Sequence, residues 1–313
     1  MTQEETTFPE ALDQAEADSE PPDGGYGWVI VGSCFILNAF TWGLTASFGV
    51  YLSKYISSED FPSTRPLEFG LIGGLNFSCA MLLAPLATYL TRRNHHINPT
   101  QLALDVSLLR DRAVILLLLW AFVSMFGYIA LLFSLSDFAL SIGLSDKQAT
   151  DIVGCLNLGT AIGRPITGIA GDRVSSVVMA GCLTFLCGLL CFILWLPANS
   201  FGLTIFFSIL CGAILGVFWM TIGPLSAEVA GLKNLQSLLS LAWATIIIPT
   251  SCAEVITLQL RELSTPRAYL YPQIFAGISY IVSSGFMIGL WKVLRQRTNP
   301  SRNIGAESSL TEL

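Results

Sequence analysis

Apolar residues run along most of this 313-residue chain in blocks of about twenty, separated by short polar breaks. The blocks lie at roughly 28–50, 69–91, 113–136, 149–171, 176–196, 202–226, 237–258 and 271–294. About twenty apolar residues in a helix match the roughly 30 Å hydrocarbon core of a bilayer. In lipid the backbone must satisfy its own polar groups, and a helix does so within a single segment. The pattern therefore predicts an all-α, multi-pass membrane bundle of about eight helices. Pro85, Pro165, Pro224 and Pro249 fall inside blocks, which membrane helices tolerate where neighbours satisfy the freed carbonyls.

Polar stretches frame the blocks. Residues 1–22 carry Glu4, Glu5, Glu10, Asp13, Glu16, Asp18 and Glu20 and no basic residue, a composition expected to stay disordered. It is too acidic for a signal or transit peptide, so the first block is expected to remain as a span. Residues 92–112 are polar but include Leu102, Leu104, Leu108 and Leu109, which suggest a short amphipathic helix at the membrane face. The expected organisation is a tail (1–22), two helices (23–91), a cytoplasmic loop (92–112), a six-helix bundle (113–294) and a second tail (295–313).

Composition agrees with a membrane protein: 53% of residues are hydrophobic and 12% charged, against about 25% charged in soluble domains. The net charge of −6 says little about partners, because much of it comes from the first tail. The basic residues are more telling. With the first tail in the cytoplasm, that side takes Arg92, Arg93, Arg110, Arg112, Arg164, Arg173, Lys233, Lys292, Arg295, Arg297 and Arg302. The other side takes only Lys54, Arg65, Lys147, Arg261 and Arg267. Positive-inside bias then puts both ends in the cytoplasm, as an even number of spans requires. A plasma-membrane location, rather than a vacuolar or other internal one, is expected.

Several chemistries are excluded. The eight cysteines (Cys34, Cys79, Cys155, Cys182, Cys187, Cys191, Cys211, Cys252) all lie inside apolar blocks and read as small packing residues. His95 and His96 share one polar loop with no cysteine or carboxylate at ligand spacing, so neither a metal site nor a histidine-activated nucleophile is expected. The spacings Gly159/Gly163, Gly212/Gly216 and Gly285/Gly289 suit close helix crossings rather than a phosphate-binding loop. Basic residues follow the membrane edge and form no surface for nucleic acid. No enzyme activity, cofactor or metal is expected.

A few polar residues inside the blocks stand out. Arg164 sits about two turns inside the fourth block. A guanidinium at that depth is costly unless it is paired or faces water, so it marks a functional site by default. Its planar fork suits a carboxylate ligand; pairing with a carboxylate or helix-end carbonyls of the protein is the alternative. Glu254, near the outer end of the seventh block, is a candidate for proton uptake or an interfacial glutamate beside Gln259, Arg261 and Glu262. Glu228, close to Pro224, caps its helix or joins a charged latch. Asn38, Asn157 and Tyr128 are candidates to line a pore or to bridge helices. Trp42 and Trp219 read chiefly as lipid-facing or packing residues.

The hexapeptide Asp23-Gly24-Gly25-Tyr26-Gly27-Trp28 opens the first block, which continues through Phe40-Thr41-Trp42-Gly43. Later come Phe133-Ser134-Leu135-Ser136-Asp137, Gly163-Arg164-Pro165, Asp172-Arg173 and Gly223-Pro224-Leu225-Ser226-Ala227-Glu228-Val229. With these segments the chain resembles the fungal monocarboxylate-transporter-like members of the major facilitator superfamily. The resemblance implies transport of small organic acids, proton-linked or facilitative, with Arg164 holding the anion. It also implies that Asp172, Arg173 and Glu228 act in a cytoplasmic gate. Thr160 and Ala46 stand where animal members carry an aspartate and a lysine, which argues against proton-coupled lactate transport as the specific activity.

The family pattern has twelve spans in two six-helix halves. Here Thr91-Arg92-Arg93 passes directly into Asn94-His95-His96, which resembles the end of the loop joining the halves. The resemblance thus implies that the third to sixth spans are missing. Carriers of this fold alternate access by rocking one bundle against the other, and two helices do not make a bundle. Three outcomes follow: transport with a reduced wall or as a homo-oligomer, a non-transporting association with full-length relatives, or an inactive splice or gene-model product.

Overall fold

The structure, a computed structural model, describes residues 25–57, 65–94, 105–171, 173–262, 264–265 and 267–298. All regular elements among these residues are helical. In chain order they are α1 (Tyr26–Ala46), α2 (Phe48–Ser57), α3 (Pro66–Asn94), a 3-10 turn (Val106–Arg110), α4 (Arg112–Ser141) and α5 (Asp146–Gly171). Then come α6 (Ser176–Leu190), which continues as a π-helical turn over Cys191–Trp195, α7 (Phe201–Leu215), α8 (Val217–Leu260) and α9 (Leu270–Thr298).

The chain divides into two compact units, Met1–Ala46 and Ser47–Leu313. Within the first, α1 starts after Gly25, whose φ of 55° suits glycine. The α1 side chains Ser33, Asn38, Thr41 and Thr45 each donate to the carbonyl four residues back. That lets polar groups occupy an apolar helix without leaving donors bare.

Six helical stretches are long and apolar enough to cross a membrane: Tyr26–Ile56, Pro66–Leu83, Arg112–Ser141, Ser176–Trp195, Phe201–Leu260 and Leu270–Arg297. The protein is an all-α membrane bundle. Two departures separate these six from eight sequence blocks. α5 carries Asp146, Lys147, Asp151 and Arg164 and is not among the six, although its 26 residues extend about 39 Å. α8 has 44 residues, about 66 Å of helix, and it is broken at Gly231, with φ 74° and ψ 164°. That backbone region is open essentially to glycine alone. The predicted blocks 202–226 and 237–258 lie on either side of this break, while Pro165, Pro224 and Pro249 sit inside helices. The expected amphipathic helix reduces, among the described residues, to the five-residue turn at Val106–Arg110, in which Val106 and Leu109 are exposed. One turn is too short to present an apolar stripe. Leu102, Leu104, His95, His96, Asp23, Gly24 and Asp172 lie outside the described residues.

Glycines set the crossings in the second unit, as expected where lipid is as apolar as the helix surface and close backbone approach drives association. A Cβ on Gly163 would lie 1.9 Å from the Ala213 carbonyl oxygen, one on Gly212 2.2 Å from that of Leu156, and one on Gly159 2.4 Å from that of Ile209. Thus α5 and α7 meet backbone to backbone. Thr160 strengthens the crossing by donating to the carbonyls of Leu156 and Gly212, both at 3.0 Å. Gly285 behaves differently from the expected pair Gly285/Gly289: nothing lies near it, and Gly289 touches only Leu116.

The first two helices of this unit, α2 and α3, dock in the same way. Gly49 of α2 faces the Leu132 carbonyl of α4, and Gly74 of α3 faces the Ser251 carbonyl of α8. Ser53 and Ser136 hydroxyls bond at 2.9 Å, and Ser78 bonds Thr250 at 3.1 Å. The core of the six later helices is aromatic, with Trp120, Trp195, Phe133, Phe207 and Phe218 fully buried. All eight cysteines are free thiols, and Cys187 and Cys211 lie with sulfurs 3.6 Å apart between α6 and α7.

Candidate functional site

Two ends of the bundle can be told apart by their contacts. At one, the Arg297 guanidinium at the end of α9 donates to Asp111 at the start of α4. There too Glu228, just before the Gly231 break, meets the Ser175 hydroxyl between α5 and α6. Arg110, Arg112, Arg173, Lys233, Lys292 and Arg295 belong to this basic end. The structure thus brings Glu228 to the segment holding exposed Arg173, while Asp172 lies outside the described residues.

Arg164 lies two turns from this end, on the exposed side of α5. Among the described residues no carboxylate comes within 4.0 Å of it. Its guanidinium covers Gly216, where a Cβ would meet the arginine Nε at 3.0 Å. Gly216 joins α7 to α8, so the missing side chain makes room for the fork at a helix junction. Tyr128 of α4 stands within the field of the Arg164 charge. Of the sequence candidates, the structure brings together Arg164 and Tyr128. Asn157 occupies the same helix two turns away, half-buried. Asn38 belongs to α1, the other unit, where its amide is engaged by the Cys34 carbonyl at 2.8 Å.

Beside Arg164 stands an aromatic group that the sequence pattern did not assign. Trp219 packs edge-on against Tyr128 at 6.1 Å and stacks on Trp243 at 5.7 Å with planes 19° apart. Phe218 and Trp120 lie behind them, 5.6 Å apart. The pairing has a simple chain origin: Trp219 and Trp243 each stand twelve residues from Gly231, so the reversal at that glycine brings them level. A symmetric placement of two tryptophans about a glycine was legible, but only with the turn known.

At the opposite end lies a buried polar network. Arg261, just after α8, donates to Asp137 of α4, and the Tyr269 hydroxyl donates to the same carboxylate. The guanidinium also stacks over the Tyr269 ring at 5.9 Å. Burial works against the Arg261 charge, but Asp137 and Tyr269 more than offset it and hold the guanidinium above its usual range. Burial, then the Asp137 charge, pushes the Tyr269 hydroxyl well above its ordinary value. One turn before Asp137, Ser134 donates to both oxygens of Glu254, at 3.0 and 3.2 Å. Glu254 is 0% exposed, a buried residue and not an interfacial one. Asp137 falls one residue past the apolar block 113–136, so the hydrophobic pattern did not mark it as a buried charge.

Two cavities lie away from Arg164 and Glu254. A groove of about 500 Å³ between α6 and α9 is lined almost wholly by apolar residues, among them Phe185, Met287 and Trp291. A polar one of about 450 Å³ lies among Ser53, Lys54, Ser136, Asp146, Lys147 and Thr150.

No protein-family model matches the chain. Curated proteins do. The chain is similar to transporters. The probable transporter MCH2 of Saccharomyces cerevisiae is 24% identical over 388 positions, covering 83% of this chain and 81% of that protein. The uncharacterized transporter ESBP6 of the same yeast is 25% identical over 400 positions, covering 84% of this chain and 58% of its own length. Monocarboxylate transporter 7 of Homo sapiens is 34% identical over 86 positions, 26% of this chain and 15% of that protein. The apolar helices, together with the likeness to transporters, support an integral multi-pass membrane protein.

Proposed function

We propose that the chain derives from a major-facilitator carrier of the monocarboxylate-transporter type and binds small organic anions through Arg164. The observation that carries this reading is a guanidinium with no carboxylate partner among the described residues. An arginine two turns inside a membrane helix is expensive unless an anion or water meets it. Among the described residues no carboxylate does, and Tyr128 of α4 lies within the field of its charge. A fork of five donors in one plane matches a carboxylate better than any single-point cation does. Asn157 extends the same helix face toward the opposite end.

Movement of the substrate is assigned to charged groups at the two ends. Asp172, Arg173 and Glu228 form the gate at the basic end, which we take as cytoplasmic by positive-inside bias. Glu254 is the proton-uptake residue of a linked mechanism, held by Ser134 near the Asp137–Arg261 pair. Both tails then lie in the cytoplasm of a plasma-membrane protein.

Loss of the third to sixth spans is supported by alignment lengths. The match to MCH2 runs over 388 positions yet uses 83% of 313 residues, about 260. Some 128 positions of that alignment are therefore not occupied by this chain, enough for about four spans with their loops at roughly twenty residues per span. A shortened first half favours a second reading, in which the chain associates with twelve-span relatives and does not transport.

Uptake of a labelled monocarboxylate into proteoliposomes holding only this protein tests the first reading. Saturable entry that Arg164→Ala abolishes is the expected result. Entry unchanged by Arg164→Ala overturns the assignment of the anion site. No entry, with copurification of a twelve-span relative from cells, moves the protein to the second reading.

A further inference from the structure

We propose that the groove between α6 and α9 seats an acyl chain of an anionic phospholipid, whose headgroup phosphate rests on Lys292 and Arg295. This site is independent of the one at Arg164. Val177, Gly181 and Phe185 line the groove from α6, and Met287, Ile288 and Trp291 from α9. Spacings of three and four residues put each set on one helix face. Both helices belong to stretches long and apolar enough to cross a membrane. At about 1.5 Å per residue, Val177 to Phe185 covers about 12 Å of helix, most of one leaflet of a hydrocarbon core roughly 30 Å thick. Gly181 adds no side chain to the groove, and a Cβ there would lie 3.1 Å from the Met287 Cβ. The resulting space of about 500 Å³ falls within the range of ligand-holding pockets.

Charge at the basic end of the groove identifies the occupant. Lys292 stands one turn beyond Ile288, and Arg295 one turn beyond Trp291, both exposed. The Arg295 guanidinium lies over the Trp291 ring at 5.0 Å. One face of α9 thus changes from apolar to cationic within a turn, with a tryptophan at the change, the place such a ring takes at headgroup level. Acids at this end are engaged elsewhere: Asp111 accepts from Arg297, and Glu228 meets the Ser175 hydroxyl. Among the described residues no carboxylate comes within 4.0 Å of Lys292 or Arg295. An apolar slot at membrane depth, ending in two cations, matches a molecule with a hydrocarbon tail and an anionic head. A second copy of this chain, docked by two-fold symmetry, would instead bring the same cations against each other.

The test is native mass spectrometry of the delipidated full chain in detergent, titrated with phosphatidylserine, with phosphatidylcholine of the same acyl chains, and with free phosphoserine. Phosphatidylserine is expected to bind about 25-fold more tightly than phosphatidylcholine, about fivefold for each basic side chain, and phosphoserine more weakly than either lipid. Lys292→Gln with Arg295→Gln should erase the preference and leave phosphatidylcholine binding unchanged. The charge-keeping exchange, Lys292→Arg with Arg295→Lys, should retain it and guards against misfolding as the cause. Cys182 lines the groove and is exposed, so Cys182→Trp should plug it and weaken both lipids together. Equal binding of the two lipids, or a preference that survives the double Gln variant, overturns the proposal. Phosphoserine binding as tightly as the lipid overturns it in favour of a free-anion site. A lipid-free dimer that Cys182→Trp dissociates gives the groove to a second copy and likewise overturns it.

Discussion

Arg164 and Arg261 are the same side chain in two environments, and the contrast separates support from recognition. Arg261 is bound on all sides: Asp137 accepts from it, Tyr269 lies beneath it, and its side chain and that of Asp137 are each 11% exposed. Arg164 is exposed on α5, touches a glycine backbone, and has no carboxylate among the described residues. A guanidinium already satisfied by the protein has little left for a ligand. One left unsatisfied in an apolar setting has most of its interaction energy available to one. The first arrangement fastens the α8–α9 connection to α4; the second, among the described residues, holds no such partner, which is what the proposed anion site requires.

The largest effect should come from breaking the satisfied pair. Asp137→Ala strands a buried guanidinium, and thermal unfolding in detergent should register a loss of about 3–5 kcal/mol. Replacing both partners, Asp137→Leu with Arg261→Met, should recover much of that loss, because desolvation offsets most of a buried pair's attraction. A loss below about 1 kcal/mol for the single variant would class the pair with exposed bridges.

Next in size is the crossing that supports Arg164. Gly163→Leu drives a side chain into the Ala213 carbonyl, which should cost about 1–3 kcal/mol by overpacking. It should weaken anion binding as well, because α5 carries both residues. At the basic end, Asp111 accepts from the Ala113 amide at 2.9 Å as a helix cap and also pairs with Arg297. Asp111→Ala should therefore cost about 1 kcal/mol through the cap. Arg297→Ala removes only a partly exposed bridge and should cost between zero and about 1 kcal/mol, less in high salt. Arg164→Ala should leave stability within about 0.5 kcal/mol, as for a surface change, while anion binding is lost. A large destabilisation there would show Arg164 to be a structural residue like Arg261.

The smallest effect is one of pH. The Ser107 hydroxyl and amide hold the exposed Asp105 carboxyl below its ordinary value. A carboxyl depressed in the folded state stabilises that state above its unfolded pKa, and the contribution is lost as pH falls through the folded one. Amide exchange over Val106–Arg110 should accordingly rise under acid conditions, and Asp105→Asn should show a much flatter response.

How much of this was legible varies by element. The α5–α7 crossing was readable from Gly159, Gly163 and Gly212, because spacing of small residues by four marks one helix face. The same rule applied to Gly70 and Gly74 would have found the α3–α8 contact. Arg164 announced itself through charge in an apolar block. Arg261 did not, since beyond the end of a block it resembles any interfacial arginine, and its partner is 124 residues away. The turn at Gly231 was hidden for another reason: prolines nearby were the stronger local signal, yet the helices run through Pro224 and Pro249 and reverse at glycine.

The sequence by itself determined that the chain is an all-α membrane bundle, because blocks of about twenty apolar residues have few other uses in lipid. It also determined that Arg164 required an explanation, because a charge at that depth is costly wherever the neighbours lie. Only the tertiary structure decided which charges are spent on one another. Pairing depends on distance across helices, and Asp137 with Arg261, Ser134 with Glu254, and Trp219 with Trp243 become neighbours through helix crossings and one glycine turn. Among the described residues, that distribution leaves Arg164 near Tyr128 and without a carboxylate partner.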